Sequence, residues 1–221
     1  MASIAIDGPA GAGKSTIAKR VAKELGYIYV DTGALYRAIA HYLVTNQIDI
    51  EDEAALTAAC DDISIEIKYE DDIQQVYRNG ENVTPYLRTE ETGNMASKSS
   101  AKAPVRAALL DLQRDMAKAY NVVMDGRDIG TNVLPDAEVK IYLTASSKER
   151  ANRRYKELLE KGESPDFDKI EADIIERDER DMNRAIAPLK KAEDAVLVDS
   201  SDMGIEEVVG RILSVAGEKL Q

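Results

Sequence analysis

The chain lacks the features that would open several functional classes. It holds one cysteine, Cys60, in 221 residues, so no disulfide can close within it, and a reducing, cytoplasmic setting is expected. No apolar run approaches the roughly 20 residues that a bilayer requires. The opening Met-Ala-Ser-Ile-Ala-Ile-Asp enters a strand pattern at once, so no signal or transit peptide is expected. No solenoid-like repeat is visible. The one histidine, His41, falls on a helical face, where a structural or exposed role is the expectation. Basic runs are also missing. With 41 acidic residues against 29 basic and a net charge of −12, the positive face of a general nucleic-acid binder is not expected.

What is present begins with Gly8-Pro-Ala-Gly-Ala-Gly-Lys14-Ser15. An apolar run, Ile4-Ala5-Ile6, precedes it and a helical pattern follows, the context of a phosphate-binding P-loop. Gly8, Gly11 and Gly13 allow backbone angles that turn successive N–H groups around an anion. Lys14 adds a full charge, the helix starting near it aims its positive end at the same point, and the Ser15 hydroxyl is placed to ligate Mg²⁺. The expected ligand is a nucleoside triphosphate. In an acidic protein, two anionic substrates require cations to be gathered locally, which directs attention to the arginines.

In chain order, Ser15 to Leu25 is a helix with Ile17, Ala18, Val21 and Ala22 inward, and Tyr27–Val30 is a second strand. Asp31-Thr32-Gly33 lies at that strand's carboxyl end, where open α/β sheets bind ligands. Arg37 comes early in the next helix, about Ala34 to Asn46. Helix dipoles disfavour a cation there, so an anion opposite would explain it. From about Asp49 to Ser97 the rhythm breaks into a short helix, strands near Ile63–Ile67 and Ile73–Tyr77, and a polar return, read as a small α+β insertion. Pro104 to Ala119 is a helix with Val105, Ala108, Leu109, Leu112 and Met116 on one stripe. The strand Val122–Asp125 ends in an acid, as a Mg²⁺-organising motif does, although many apolar strands end so.

Val139–Thr144 is a fourth strand, and Ser146 with Glu149 predicts a capping box. Arg150, Arg153 and Arg154 share a helical face before a turn at Gly162–Asp168. They suit a lid over ATP, the alternative being a solvated patch paired with Glu157 and Glu160. Arg177, Asp181 and Arg184 line another face, Ala195–Asp199 is a fifth strand, and an amphipathic helix closes the chain. Five short buried strands separated by helices predict a doubly wound parallel sheet.

No [NT]-K-x-D run selects guanine, so a GTPase is disfavoured, and a motor or larger ATPase would bring more chain. A small kinase remains, in which positioning and charge neutralisation outweigh any nucleophile or base. Kinases of a sugar acid or shikimate, and a nucleotide-binding switch without turnover, stay open at this level.

Several long motifs narrow the field: IDGPAGAGKST, DTGALYR, RTEE with the following ASK and PVR, DGRDIGT, ASSKERANRR, ERDERDMNRAIAPL and VLVDSS. On these, nearly end to end, the chain resembles the bacterial cytidylate kinases of the nucleoside monophosphate kinase group. Thr32 stands where many members have Ser, which keeps the hydroxyl.

The resemblance implies an α/β P-loop kinase fold, a five-stranded parallel sheet flanked by helices with a small α+β inserted domain and a helical lid. Residues 1–46 and 98–221 would form the core, with the lid at about 150–168, and 47–97 the monophosphate-binding insert, expected to swing inward on binding. The implied reaction moves the γ-phosphoryl group of ATP to CMP or dCMP with Mg²⁺ at Ser15. Lys14, Arg127, Arg184 and Arg154 would be catalytic. Gly8, Pro9, Ala10, Gly11, Ala12, Gly13, Lys14, Ser15, Thr16, Arg150 and Arg153 would hold ATP. Asp128, Arg106 and Ser97 would recognise cytosine, Asp181 and Arg177 the ribose, and Arg37, Arg127 and Arg184 the CMP phosphate with Thr32 nearby. Small-molecule substrates, no nucleic acid, no membrane and a monomeric state complete the expectation.

Overall fold

The computed structural model describes residues 1–220. Strand β1 (Ser3–Asp7) is buried along its whole length, as the central strand of a sheet covered on both faces must be. It leads through the glycine-rich turn into α1 (Lys14–Leu25), which starts at Gly13 and stops at Gly26, both left-handed. Gly8 is required for a different reason: a Cβ there would collide with the backbone oxygen of Leu143. Strand β2 (Ile28–Asp31) runs directly into α2 (Thr32–Thr45), whose first turn is capped by the Asp31 side chain accepting from the Ala34 N–H at 2.8 Å.

Next come α3 (Glu53–Asp61), the antiparallel strands β3 (Ile65–Glu70), β4 (Ile73–Arg78) and β5 (Glu81–Asn82), and α4 (Glu90–Ser99). The core then resumes with α5 (Ala103–Ala119), β6 (Val122–Gly126), a single π-turn (Ile129–Val133), β7 (Val139–Thr144), α6 (Ser147–Glu160), α7 (Phe167–Asn183), β8 (Val196–Asp199) and α8 (Ile205–Lys219). The main sheet is parallel throughout with order β2-β6-β1-β7-β8. Its chain crosses from one side of β1 to the other after β6, so a cleft opens at the carboxyl ends of β1 and β6.

Ile4, Ile6, Ile141 and Leu143 pack with Ile17 and Val21 of α1 and Ile212 of α8. Around α2, Leu35, Ile39 and Leu43 share a second cluster with Leu56, Val76 and Leu87 and with Val105 and Leu109 of α5. The small sheet is also tied to the edge strand β2. The Gln74 amide accepts from the Asp31 N–H at 2.8 Å and donates to its carbonyl at 3.2 Å, and the Tyr69 hydroxyl donates to Tyr29 O at 2.8 Å. These bonds satisfy backbone groups that an edge strand would otherwise expose.

The five core strands fall where the apolar runs predicted, within one or two residues. The polar return after Leu87 differs: it contains α4, started by Thr89 accepting from the Thr92 N–H, a helix whose polar stripe hid its period. On α5 the inward stripe includes Arg106 and Gln113, whereas Ala108 is exposed. The Ser146–Glu149 capping box is half made. Ser146 Oγ accepts from Glu149 N–H, but the Glu149 carboxylate turns to Arg153 at 3.3 Å. Arg184 lies just past the end of α7, in extended conformation.

Candidate active site

The cleft at the strand ends encloses about 790 Å³, with ten basic side chains on its walls against six acidic. A chain of net charge −12 thus concentrates positive charge at one place. Of the residues singled out in the sequence, Ala10, Gly11, Ala12, Gly13, Lys14, Ser15, Thr16, Thr32, Arg37, Ser97, Arg106, Arg127, Asp128, Arg150, Arg153, Arg154, Arg177, Asp181 and Arg184 all line it. Gly8 and Pro9 do not: Gly8 is pressed against β7, and Pro9 contributes its carbonyl, which accepts from Lys14 Nζ at 2.8 Å.

At the glycine-rich end, burial and then the Arg127 charge push the Lys14 amine well below its ordinary pKa. Ser15 Oγ donates to Asp125 Oδ2 at 3.0 Å, and the Tyr29 hydroxyl donates to Oδ1 at 2.8 Å. Burial, followed by the Asp31 charge, raises Asp125 to about 6. A hydroxyl beside a carboxylate is a small set of hard oxygen donors. That set fits Mg²⁺, which keeps several waters and takes phosphate oxygens to complete its shell. Among the described residues no group of three His, Cys, Asp or Glu side chains forms a protein metal cage.

The opposite end is an interlocked network. Asp128 is 4 % exposed; its Oδ2 accepts from Arg106 Nη2 and its Oδ1 from Arg184 Nη2 at 3.2 Å. Arg184 Nη1 also donates to Ser100 Oγ at 3.0 Å and Arg106 Nη1 to Ser100 O at 3.2 Å. Asp181 accepts from Arg127 Nε at 3.1 Å and from Ser97 Oγ at 3.2 Å. Burial opposes ionisation of Asp181, yet Arg127 and Arg177 outweigh it and hold the acid below its usual value. Arg177 is lowered to about 10 by burial and then by Arg127. The Nε atoms of Arg37 and Arg177 are buried without a protein partner, although Arg37 reaches Asp31 Oδ2 at 3.1 Å. Crowded guanidinium groups with unused donors are what an incoming anion relieves.

The helical arginines diverge. Arg150 is buried and spends its donors on the protein: Ala145 O at 2.9 Å, Ala10 O at 2.9 Å and Asp178 Oδ2 at 2.6 Å. Its stem lies against Gly11, so it braces the glycine-rich turn from outside. Arg153 bonds Ser200 O at 2.7 Å, where the cleft continues to Ser201, Met203 and Ile205. Arg154 is half exposed and pairs with Glu157 at 3.0 Å. The solvated-patch pairing thus describes Arg154, while Arg150 and Arg153 turn to the walls of the cleft.

Several wall residues had drawn no role from the sequence: Ser100, Arg88 and, behind the wall, Asp178 and Asn132. Ser100 and Asn132 carry no local pattern that could have flagged them. Tyr36, one residue before Arg37, packs its ring 5.6 Å from the Arg106 guanidinium. His41 is outside the cleft, stacked on Tyr86 and bonded to Arg78 at 2.9 Å. Cys60 is buried in the second cluster.

Comparison with known proteins agrees with this architecture. The family model described as Cytidylate kinase matches residues 4–218. The chain is 48% identical to a cytidylate kinase of Shouchella clausii, covering 98% of this chain and 96% of that one. It is 50% identical to a cytidylate kinase of Lactobacillus gasseri, covering 98% and 94%. Among solved structures, shikimate kinase from Bacteroides thetaiotaomicron superposes with TM-score 0.50 at 15% identity, covering 98% of each chain. That likeness concerns the fold, which is that of the P-loop kinases.

Proposed function

The chain belongs to the cytidylate kinase family and is a nucleoside monophosphate kinase that phosphorylates CMP; we propose that it does so, and acts on dCMP, by holding two nucleotides end to end across the arginine-lined cleft. ATP is the phosphoryl donor. The observation that carries this reading is the convergence of Lys14, Arg37, Arg127, Arg177 and Arg184 between the glycine-rich turn and Asp128.

The turn's N–H groups and Lys14 hold the donor phosphates, while Arg37, Arg127 and Arg184, with Thr32, hold the acceptor phosphate. That phosphate is already an anion, so no strong base is needed, and bringing it in line against repulsion is the chief task. Lys14, Arg127 and Arg184, joined by Arg154 from the lid, neutralise charge on the group in flight. Mg²⁺, when bound at Ser15 and Asp125, supplies further neutralisation of the donor phosphates. Cytosine offers an N4 amino donor where uracil has an oxygen, so the Asp128 carboxylate accepts from the one and repels the other, while Arg106 and Ser97 can donate to the N3 and O2 acceptors. Asp181 and Arg177 take the ribose hydroxyls. Residues 47–97 form the insert that closes on the monophosphate and excludes water, with 150–168 as the lid, in a monomer acting in the cytoplasm.

Initial rates of ADP formation with ATP and each of CMP, dCMP, UMP, AMP and shikimate test this. Fast turnover confined to CMP and dCMP is expected. Equal rates with AMP would overturn the assigned pocket.

A further inference from the structure

Asp7 is the buried charge that the chemistry above does not use. It closes β1, one residue before the glycine-rich turn, and is 5 % exposed. Its Oδ1 accepts from the Ile129 N–H at 2.8 Å and its Oδ2 from the Gly130 N–H at 2.7 Å. Those two amides open the π-turn that directly follows Asp128. On the far side of the same turn, Asn132 Nδ2 donates to Asp128 Oδ2 at 3.2 Å. Arg114 then grips the turn's exit, donating to Asn132 O and Val133 O, each at 3.1 Å.

We propose that Asp7 and Asn132 form a frame that fixes the base-reading carboxylate Asp128 relative to the donor loop, so that both are positioning residues for base selection. The inference rests on the reading of Asp128 as the group that recognises cytosine.

The first N–H groups of any helical turn have no partner within it. In the π-turn, Leu134 N–H bonds Ile129 O at 2.7 Å, and the amides of residues 129 and 130 are left to be met from outside. Only a carboxylate of this size offers two acceptors to two adjacent donors; an amide would turn its own NH₂ against one of them. Asp7 in turn has no freedom to drift, because it is registered against Gly126 on one side and Tyr142 on the other. Gly130 closes the assembly, since a Cβ there would stand 3.1 Å from Lys140 Cδ and 3.4 Å from Asp7 Oδ2. Burial raises the Asp7 carboxyl to about 6, a cost that an apolar residue at the end of β1 would avoid. Retaining the charge makes sense if the geometry of the turn matters.

The test measures kcat and KM for CMP, UMP and ATP in the intact enzyme and in Asp7→Asn, Asn132→Ala and Asp128→Ala. For Asp7→Asn, the preference for CMP over UMP should fall about tenfold while KM for ATP moves by less than about twofold. Asn132 is partly exposed, so Asn132→Ala should fold and lower the same preference by about threefold. A loss shared equally by CMP and UMP in Asp7→Asn, or KM for ATP rising in step with KM for CMP, would overturn the proposal. If Asp7→Asn does not fold, an unchanged preference in Asn132→Ala overturns it. Asp128→Ala separates the two layers. If it leaves the preference intact, the reading of Asp128 is wrong and the frame has nothing to serve. If it abolishes the preference while both frame variants keep it, the frame alone is wrong.

Discussion

Arginine serves the two walls of the cleft in different ways. On the wall proposed to hold the acceptor, the side chains of Arg106 and Arg184 are 8% and 5% exposed and both are locked onto Asp128. On α6, Arg153 and Arg154 are 34% and 45% exposed and pair with glutamates of their own helix. Deep burial makes a guanidinium expensive to leave unpaired, so the Asp128 wall is assembled before any ligand arrives. Half-exposed pairs are weak and easily exchanged, so the helical arginines can trade a glutamate for a phosphate at little cost. Preassembly favours selectivity, and exchangeability favours entry and release.

Substitutions can break this contrast, the largest effect first. Arg184→Ala removes the proposed phosphate grip and one of the two arginines paired with Asp128, and kcat should fall about 10²–10³-fold; single-turnover rates check it, and a loss below about tenfold would erase the distinction between the walls. Asp128→Ala should cost about 10²-fold in the CMP preference with a smaller effect on ATP use, read from kcat/KM for CMP against UMP.

Acidity probes the buried carboxyls. Asp7 and Asp125 stand at about 6, so between pH 7 and pH 5 kcat/KM should fall by about tenfold for each of the two that must stay ionised. The fold should survive this range. An acid whose folded pKa is raised gains stability as pH drops from the folded value toward 3.8, and Asp181, held low, loses its contribution only below that value. Circular dichroism at pH 5 that shows unfolding would contradict this account. The smallest effect belongs to α6, the proposed lid: Arg154→Ala should lower kcat about fivefold and leave the melting temperature unmoved. A loss as large as that of Arg184→Ala would make the two walls equivalent.

The core was readable because its signals are local. Ile4–Ile6 and Val122–Met124 are apolar runs and Val139–Leu143 is one interrupted only by Lys140, and parallel strands buried on both faces have that appearance. The glycine-rich turn was legible for the same reason, Gly11 and Gly13 answering a local backbone demand, although the collision that Gly8 avoids is with Leu143 of a distant strand. Helix α4 was not, since Thr92, Ser97 and Ser99 are buried without being apolar. Nor was the brace of Arg150 on Ala10 O and Asp178, whose partners lie 140 and 28 residues away.

Sequence by itself determined the elements of the parallel core, the phosphate loop and the stock of arginines, because period, turn chemistry and side-chain type act over one or two turns of chain. Tertiary structure alone decided which arginines are locked and which are exchangeable. Burial and pairing depend on residues that the parallel sheet brings together from distant parts of the chain, as Asp7 meets Ile129 and Gly130, and no local pattern encodes that meeting.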